Sequence, residues 1–234
     1  MSIRKQVTLL LIATKQYKQF VQPLIEGVKK YFLINHDVTV ELFTDEIRPY
    51  EGDERVKVSQ TLIASYAFPE VTLYRYKIFL SKKHDCDYIY YLDVDMAIVS
   101  EVGEEIFGDI VAVRHPGFYL GGGSWCDDKN SLAYTEPENR YRYYAGGFQG
   151  GGEKYYRAMK QMALHIDEDV RNGVLATWHD ESHWNKYLSE CKIYKELSPA
   201  YCLVEQQELR EKWGISEFEP KIIALAKDHK TIRE

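Results

Sequence analysis

The apolar positions of the chain fall into runs and periods that predict alternating strands and helices. Val7-Thr8-Leu9-Leu10-Leu11-Ile12-Ala13 is a continuous apolar run and predicts a strand buried on both faces. From Tyr17 to Tyr31 the positions Phe20, Val21, Leu24, Ile25, Val28 and Tyr31 share one helical face. Val38 to Thr44 is a second strand. Strand, helix and strand at this spacing predict a βαβ unit with a parallel pair. Val56 to Ile63 adds a shorter strand, and Tyr74 to Lys83 reads as a helix. Ile110 to Val113 is a further short strand, Gly121 to Glu138 is irregular, and Leu197-Ser198-Pro199 is a turn. Glu153 to Arg171 is a helix with Tyr156, Met159, Met162, Ala163 and Ile166 as its apolar stripe, the methionines serving as core. The pattern is that of one α/β domain built on an open sheet.

The stretch Tyr88-Ile89-Tyr90-Tyr91-Leu92-Asp93-Val94-Asp95-Met96 stands out in this pattern. Five strand-forming residues run into two carboxylates spaced i, i+2. If strand alternation continues, Asp93 and Asp95 point the same way at the carboxyl end of a strand. Open α/β sheets bind ligands outside those ends, and the end of the first strand, Ile12-Ala13-Thr14, lies on the same rim. Two close carboxylates need a proton, a cation or basic partners. A hard divalent ion that shares oxygen ligands with a phosphate fits them, and so does a simple strand-terminating role.

Two other stretches are dense in chemistry. Tyr143 to Gly152 carries so many glycines that its backbone must turn tightly or lie close to a ligand. It ends in no G-K-[ST] and holds no G-x-G-x-x-G. Trp178-His179-Asp180-Glu181-Ser182-His183-Trp184-Asn185-Lys186-Tyr187 predicts a helix N-terminus with acids in its first turn. His179 and His183 are spaced i, i+4, but Asp180 stands where H-E-x-x-H needs glutamate, which argues against zinc.

The whole chain has 234 residues, 45% hydrophobic and 14% aromatic, with nineteen tyrosines, which is globular. Its net charge of −6 argues against nucleic-acid binding. Cys86, Cys126, Cys191 and Cys202 form no C-x-x-C and predict isolated thiols in a reducing compartment. Val7 to Ala13 is too short to span a bilayer, and no cleavage pattern precedes it, so no transmembrane segment and a cytoplasmic location are expected. The tail from Lys227 to Glu234 is basic and predicts a mobile terminus.

Several stretches, in order along nearly the whole chain, resemble one family. They are Tyr17, Phe43-Thr44-Asp45, Asp93-Val94-Asp95-Met96, His115-Pro116-Gly117-Phe118-Tyr119, Tyr144-Ala145-Gly146-Gly147-Phe148, Trp178 to His183, Asn185-Lys186-Tyr187, Leu197-Ser198-Pro199, and Lys227 with Arg233. The family is glycosyltransferase family 6, the retaining enzymes of the blood-group A/B transferase and α-1,3-galactosyltransferase type. W-H-D-E-S-H-x-N-K-Y carries the most specific part of the match. The resemblance implies a single GT-A domain with a Rossmann-like open sheet, in which residues 1–100 mainly bind UDP, 101–226 carry acceptor and catalytic residues, and 227–234 form the tail. It implies a UDP-sugar donor, an oligosaccharide acceptor and an α-1,3 linkage made with retention.

Carried over by position, Asp93 and Asp95, with Val94 between them, become the metal–diphosphate site, served by Mn²⁺ or Mg²⁺. Ile12, Thr14 and Tyr17 match uridine-holding positions, and Arg75 matches a donor-contacting arginine. Asp180 matches a position that binds donor or acceptor sugar, Glu181 matches the acid beneath the anomeric carbon, and the resemblance makes the two the catalytic pair. His115, Trp178, Glu181 and Glu205 fall on the acceptor side. Lys227 and Arg233 match tail residues that fold over the diphosphate. Ala145-Gly146-Gly147 matches the donor-distinguishing segment, where glycine at 147 implies UDP-GalNAc, with UDP-Gal the alternative. The chain departs from the animal enzymes in having no anchor or stem, which implies a soluble, bacterial-like member. It also departs in Gly121-Gly122-Gly123-Ser124-Trp125-Cys126 within acceptor-loop territory, and in Gln149, where an aromatic or small residue is common. Two other readings stand beside this one: a metal-dependent phosphotransferase or phosphatase with Asp93 as nucleophile, and a non-catalytic sugar-binding module. The first leaves Trp178 to His183 unexplained, and the second does not require Glu181.

Overall fold

The structure is a computed structural model that describes residues 3–191, 193–228 and 232. The first apolar run is β1 (Gln6–Ala13), followed by α1 (Val21–Tyr31), β2 (Asp37–Thr44) and β3 (Val56–Leu62). Then come α2 (Glu70–Leu73), α3 (Arg75–Leu80), β4 (Tyr88–Leu92) and β5 (Met96–Ile98). The second half holds β6 (Val111–Arg114), β7 (Tyr144–Gly151), α4 (Glu153–Arg171), α5 (His179–Glu190) and β8 (Lys195–Leu197), then β9 (Leu203–Val204), α6 (Gln207–Lys212) and β10 (Ile222–Ala224). The main sheet runs β3-β2-β1-β4-β7-β6-β8, and a small one runs β5-β10-β9. β1 pairs parallel with β2, as the βαβ pattern predicts, and also with β4, while β7 runs antiparallel to β4 and β6. This is an α/β fold with a mixed open sheet, consistent with the GT-A type.

β1 is buried on both faces, as its unbroken apolar run requires. Val7, Leu9 and Leu11 pack with Val21, Leu24 and Val28 of α1. Leu10 faces the opposite layer, with Tyr76 and Phe79 of α3, Tyr155 and Met159 of α4, and Trp184 of α5. Each fully buried aliphatic side chain there stabilises the fold by about 1.5–3 kcal/mol. Met159 and Met162 are core residues, as the α4 stripe indicates.

Four expectations change in detail. The helix drawn from Tyr17 is a 3-10 stretch over Lys15–Phe20, and the α-helix proper begins at Val21. Pro23 then falls in the first turn, where its missing N–H costs no hydrogen bond. The helix drawn over Tyr74–Lys83 is shorter, Arg75–Leu80, and Tyr74, with a ψ of 2°, separates it from a further short piece before it, Glu70–Leu73. Strand geometry ends at Leu92, so alternation is not what aims Asp93 and Asp95. They sit in the turn between the two sheets: Asp93 N donates to Gly147 O at 2.8 Å, and Leu225 N donates to Asp95 O at 3.0 Å. The glycine-rich segment, expected to turn tightly or to lie close to a ligand, is the inner strand β7. A Cβ at Gly150 would lie 2.2 Å from a ring carbon of Tyr90, so only glycine lets β7 pack on β4. Among the described residues, no helix is long and apolar enough to cross a membrane.

Candidate active site

A cavity of about 290 Å³ opens at the carboxyl ends of β1 and β4, where the neighbours of β1 lie on opposite sides. Ile12, Thr14 and Tyr17 line one wall; Arg75, Asp93, Val94 and Asp95 line another. The rim after β1 is held by charge. Lys15 N donates to Asp45 Oδ2 at 2.9 Å, and Lys18 Nζ donates to Asp45 at 2.8 Å and to Glu46 at 2.9 Å. Phe43-Thr44-Asp45 thus ends β2 by anchoring the turn that carries Tyr17.

Arg75 joins the two acidic motifs. One guanidinium nitrogen donates to Asp180 and the other to Asp93 at 3.2 Å, while the cation lies 4.2 Å from the centre of the Tyr91 ring. Tyr91 Oη also donates to Asp93. Burial works against the charge on Arg75, but Asp180, Tyr91 and Asp93 outweigh it and raise its pKa. Burial raises Asp180 to about 6, against the pull of Arg75 and with a push from Asp93. Asp180 is therefore an ionised partner of Arg75 at neutral pH.

Consecutive glycines of β7 hold the two halves of the site together. A Cβ on Gly146 would lie 3.0 Å from Glu181 Cβ, and a Cβ on Gly147 would lie 2.9 Å from Asp93 Oδ2. Glu181 Oε2 accepts a hydrogen bond from Gly146 N at 2.7 Å. Asn185, one turn on, clamps α5 to β7: its Oδ1 accepts from Tyr144 N at 2.7 Å and its Nδ2 donates to Tyr144 O at 2.8 Å and Glu181 O at 2.9 Å. Asp180 and Glu181 occupy the first turn of α5, as predicted, where the helix dipole favours them. Burial nonetheless raises Glu181 to about 7, against hydrogen bonds from Gly146 and Tyr143 and with added repulsion from Asp180 and Asp93.

An aromatic cluster surrounds Tyr143, a hydrogen-bonding neighbour of Glu181. His115, Phe118 and Trp125 all contact the Tyr143 ring. Burial lowers His115 to about 4, so its ring is neutral and its Nδ1 accepts from Gly117 N at 3.1 Å. Trp178 is half exposed, and its Nε1 donates to Ser124 Oγ at 2.5 Å. The Gly121–Cys126 segment is therefore tied to α5 through Ser124.

His179 packs edge-on against Phe68, and His183 Nε2 lies 3.4 Å from Asp169, so the two histidines face different partners. Lys227 pairs with Asp95 and stands over the Tyr17 ring, 5.8 Å from its centre, and Ile232 lines the cavity. Glu205 reaches a different partner from the other acceptor-side candidates: its Oε2 accepts from Ala226 N at 2.7 Å, one residue before Lys227. Arg233 lies outside the described residues.

Comparison with known protein families matches residues 2–234 to glycosyltransferase family 6. The chain belongs to glycosyltransferase family 6. It is 33% identical to the histo-blood group ABO system transferase 1 of Rattus norvegicus, over 97% of this chain and 68% of that protein. It is 28% identical to the globoside alpha-1,3-N-acetylgalactosaminyltransferase 1 of Homo sapiens, over 82% of this chain and 59% of that one. A shorter match, 28% identical over 50% of this chain and 36% of the relative, is to alpha-1,3-galactosyltransferase 2 of Homo sapiens. As a family 6 glycosyltransferase, the chain takes a sugar donor and an acceptor.

Three residues of this site carry no motif of their own. Tyr143 and Tyr91 are two of nineteen tyrosines, and nothing in the sequence separates them from core tyrosines. Gln149 had one signal, an amide inside a run of glycines and aromatics. The raised pKa of Glu181 has a consequence for stability. Its ionised form is disfavoured in the fold, so the penalty is absent below about pH 4.5, grows as pH rises, and is complete above about 7. Glu181→Gln is expected to leave the melting temperature unchanged near pH 4.5 and to raise it at pH 8, by up to about 3 kcal/mol of stability. Calorimetry at the two pH values checks this; equal effects at both would contradict it.

Proposed function

We propose that the chain is a retaining α-1,3-N-acetylgalactosaminyltransferase that moves GalNAc from UDP-GalNAc to a galactoside, with a 2-fucosylated galactoside a natural candidate. UDP-Gal is the alternative donor. The observation that carries this reading is the pair of glycines that sets Glu181 on one side and Asp93 on the other. A donor whose diphosphate lies at Asp93 and Asp95 then presents its anomeric carbon to Glu181. The names of the matched GalNAc-transferring relatives agree with the donor chosen.

In this reading residues 1–100 mainly hold UDP, 101–226 supply the acceptor and catalytic residues, and the tail from 227 covers the diphosphate. Ile12, Thr14 and Tyr17 grip the nucleoside. Asp93 and Asp95 suit a hard cation such as Mn²⁺ or Mg²⁺: both are carboxylates on one cavity wall, and both now hold cationic side chains, Arg75 and Lys227. Among the described residues, no cluster of three or more His, Cys, Asp or Glu could enclose a metal by itself. The remaining ligands would come from diphosphate and water. The cation would supply charge neutralisation for the departing UDP.

Glu181, as carboxylate, stabilises positive charge at the anomeric carbon or attacks it, and same-face departure gives retention. Asp180, fixed by Arg75, binds sugar hydroxyls. Neutral His115 and half-exposed Trp178 receive the acceptor, with Glu205 at the approach from the tail. Lys227 moves from Asp95 to the diphosphate, and Arg233 joins it, excluding water.

The donor choice is tested by UDP release with UDP-GalNAc and UDP-Gal, with and without Mn²⁺; faster turnover with UDP-Gal overturns it. Gly147→Ala places a methyl 2.9 Å from Asp93 Oδ2 and 3.5 Å from Met96 Sδ. It is expected to lower kcat/KM for UDP-GalNAc relative to UDP-Gal by about 10- to 200-fold, the range one methyl group gives. An unchanged ratio would show that residue 147 does not select the donor.

A further inference from the structure

The segment 145–148 leaves the ladder between β6 and β7. Ala112 is registered with Gln149 and Arg114 with Tyr144, so Val113 alone faces that whole segment. Bulges of this kind re-aim the backbone beside sites, and they leave carbonyls without a ladder partner. On the other edge Gly147 O accepts from Asp93 N at 2.8 Å, but the Gly146 carbonyl turns inward. It is met there by a side chain: Gln149 Nε2 donates to Gly146 O at 3.1 Å.

Gln149 is fully buried, and its amide is fixed from behind. Its Oε1 accepts from Tyr76 Oη of α3 at 3.0 Å and from Tyr155 Oη of α4 at 3.2 Å. With two hydroxyl donors on the oxygen, the NH₂ group must face Gly146 O; the reversed amide would set oxygen against oxygen. Both tyrosines lie in the layer that carries Arg75, and burial holds their hydroxyls protonated. The network is closed, so removing its centre leaves three buried polar groups unpaired.

We propose that Gln149 is a positioning residue for glycosyl transfer: its amide sets the Gly146–Gly147 bulge, and thereby the N–H that holds Glu181 and the carbonyl that holds Asp93. The role rests on the reading of Glu181 as the acid beneath the anomeric carbon. It also gives the amide at this point of the strand a purpose that a phenylalanine could not serve, because a phenyl ring has no donor for Gly146 O.

Gln149→Met keeps the length and removes every hydrogen bond. It is expected to lower kcat by about 10- to 100-fold, as for a small misplacement of a reacting group, with the donor KM within about threefold. The acid limb of the kcat profile is expected to move to higher pH, because the Gly146 N–H that lowers the pKa of Glu181 is no longer aimed. Gln149→Glu, whose introduced carboxyl can donate to Gly146 O while protonated, is expected to recover more of the loss at lower pH than at higher pH. Tyr155→Phe removes one donor behind the amide; it is expected to shift the limb in the same direction by less, and it decides the matter if Gln149→Met does not fold. A folded Gln149→Met, or Tyr155→Phe in its place, with kcat and limb both unmoved overturns the proposal. So does a loss of kcat that tracks the melting temperature while the limb stays put. Glu181→Gln, assayed alongside, separates the two ideas: if it is inactive while Gln149→Met is normal, only the role of Gln149 falls, and if Glu181→Gln is itself active, the reading of Glu181 falls first.

Discussion

Glu181→Gln is expected to lower kcat for glycosyl transfer on the order of 10³-fold while UDP binding stays within a few-fold of the parent. The substitution is close to isosteric. The glutamine oxygen can still accept from Gly146 N, which Glu181 engages at 2.7 Å, and Asn185 still fixes the α5 backbone through Glu181 O at 2.9 Å. What disappears is the negative charge that the proposed reaction sets against the positive charge developing at the anomeric carbon. The cavity walls proposed to hold the nucleoside, Ile12, Thr14 and Tyr17, are untouched. Titration calorimetry with UDP and Mn²⁺, beside steady-state kinetics, separates binding from chemistry. A variant that loses UDP binding in step with rate would mean that Glu181 builds the pocket rather than the reaction.

Arg75→Met carries the second large effect, on stability and activity together. Asp180 is about 5% exposed as a side chain and Arg75 about 9%, so the substitution strands a buried carboxylate. Removing one partner of a buried ion pair costs about 3–5 kcal/mol. Asp180 would take up a proton more readily, since burial already raises it to about 6 and Arg75 is the group holding it down. Asp93 also loses its 3.2 Å contact. Adding Asp180→Asn should restore a large part of the stability but not the activity, because the charge problem is solved while the carboxylate proposed to bind sugar is gone. Urea unfolding of the two single variants and the double variant checks this. Additive losses would show that Arg75 and Asp180 act independently.

The sequence made some levels of this molecule readable and concealed others. Apolar runs predicted β1 and β4 because strands buried on both faces need no polar alternation, and β1 is buried on both sides as its run requires. The acids of α5 were readable as a helix start because the dipole favours them there. The D-x-D turn was not, since its geometry comes from Gly147 and Leu225, which lie far along the chain. The glycines of β7 do not say by themselves whether the backbone turns tightly, approaches a ligand or packs on a neighbouring strand, because all three ask for the same residue; the contact with Tyr90 decides for packing at Gly150. Arg75 could be placed by resemblance, but its bridge between Asp93 and Asp180 depends on contacts 18 and 105 residues apart in sequence. Gln149 shows the same limit: an amide in a glycine-rich strand signals something, and only the bulge at Gly146 says what.

The central claim is transfer of GalNAc with retention by Glu181 and its neighbours. It is tested most directly by incubating the chain with UDP-GalNAc, Mn²⁺ and a galactoside, with and without 2-fucosylation, and assigning the product's new linkage by NMR. The account predicts an α-1,3-linked GalNAc, absent from the Glu181→Gln reaction. A β linkage, or saccharide binding without any turnover, would contradict it.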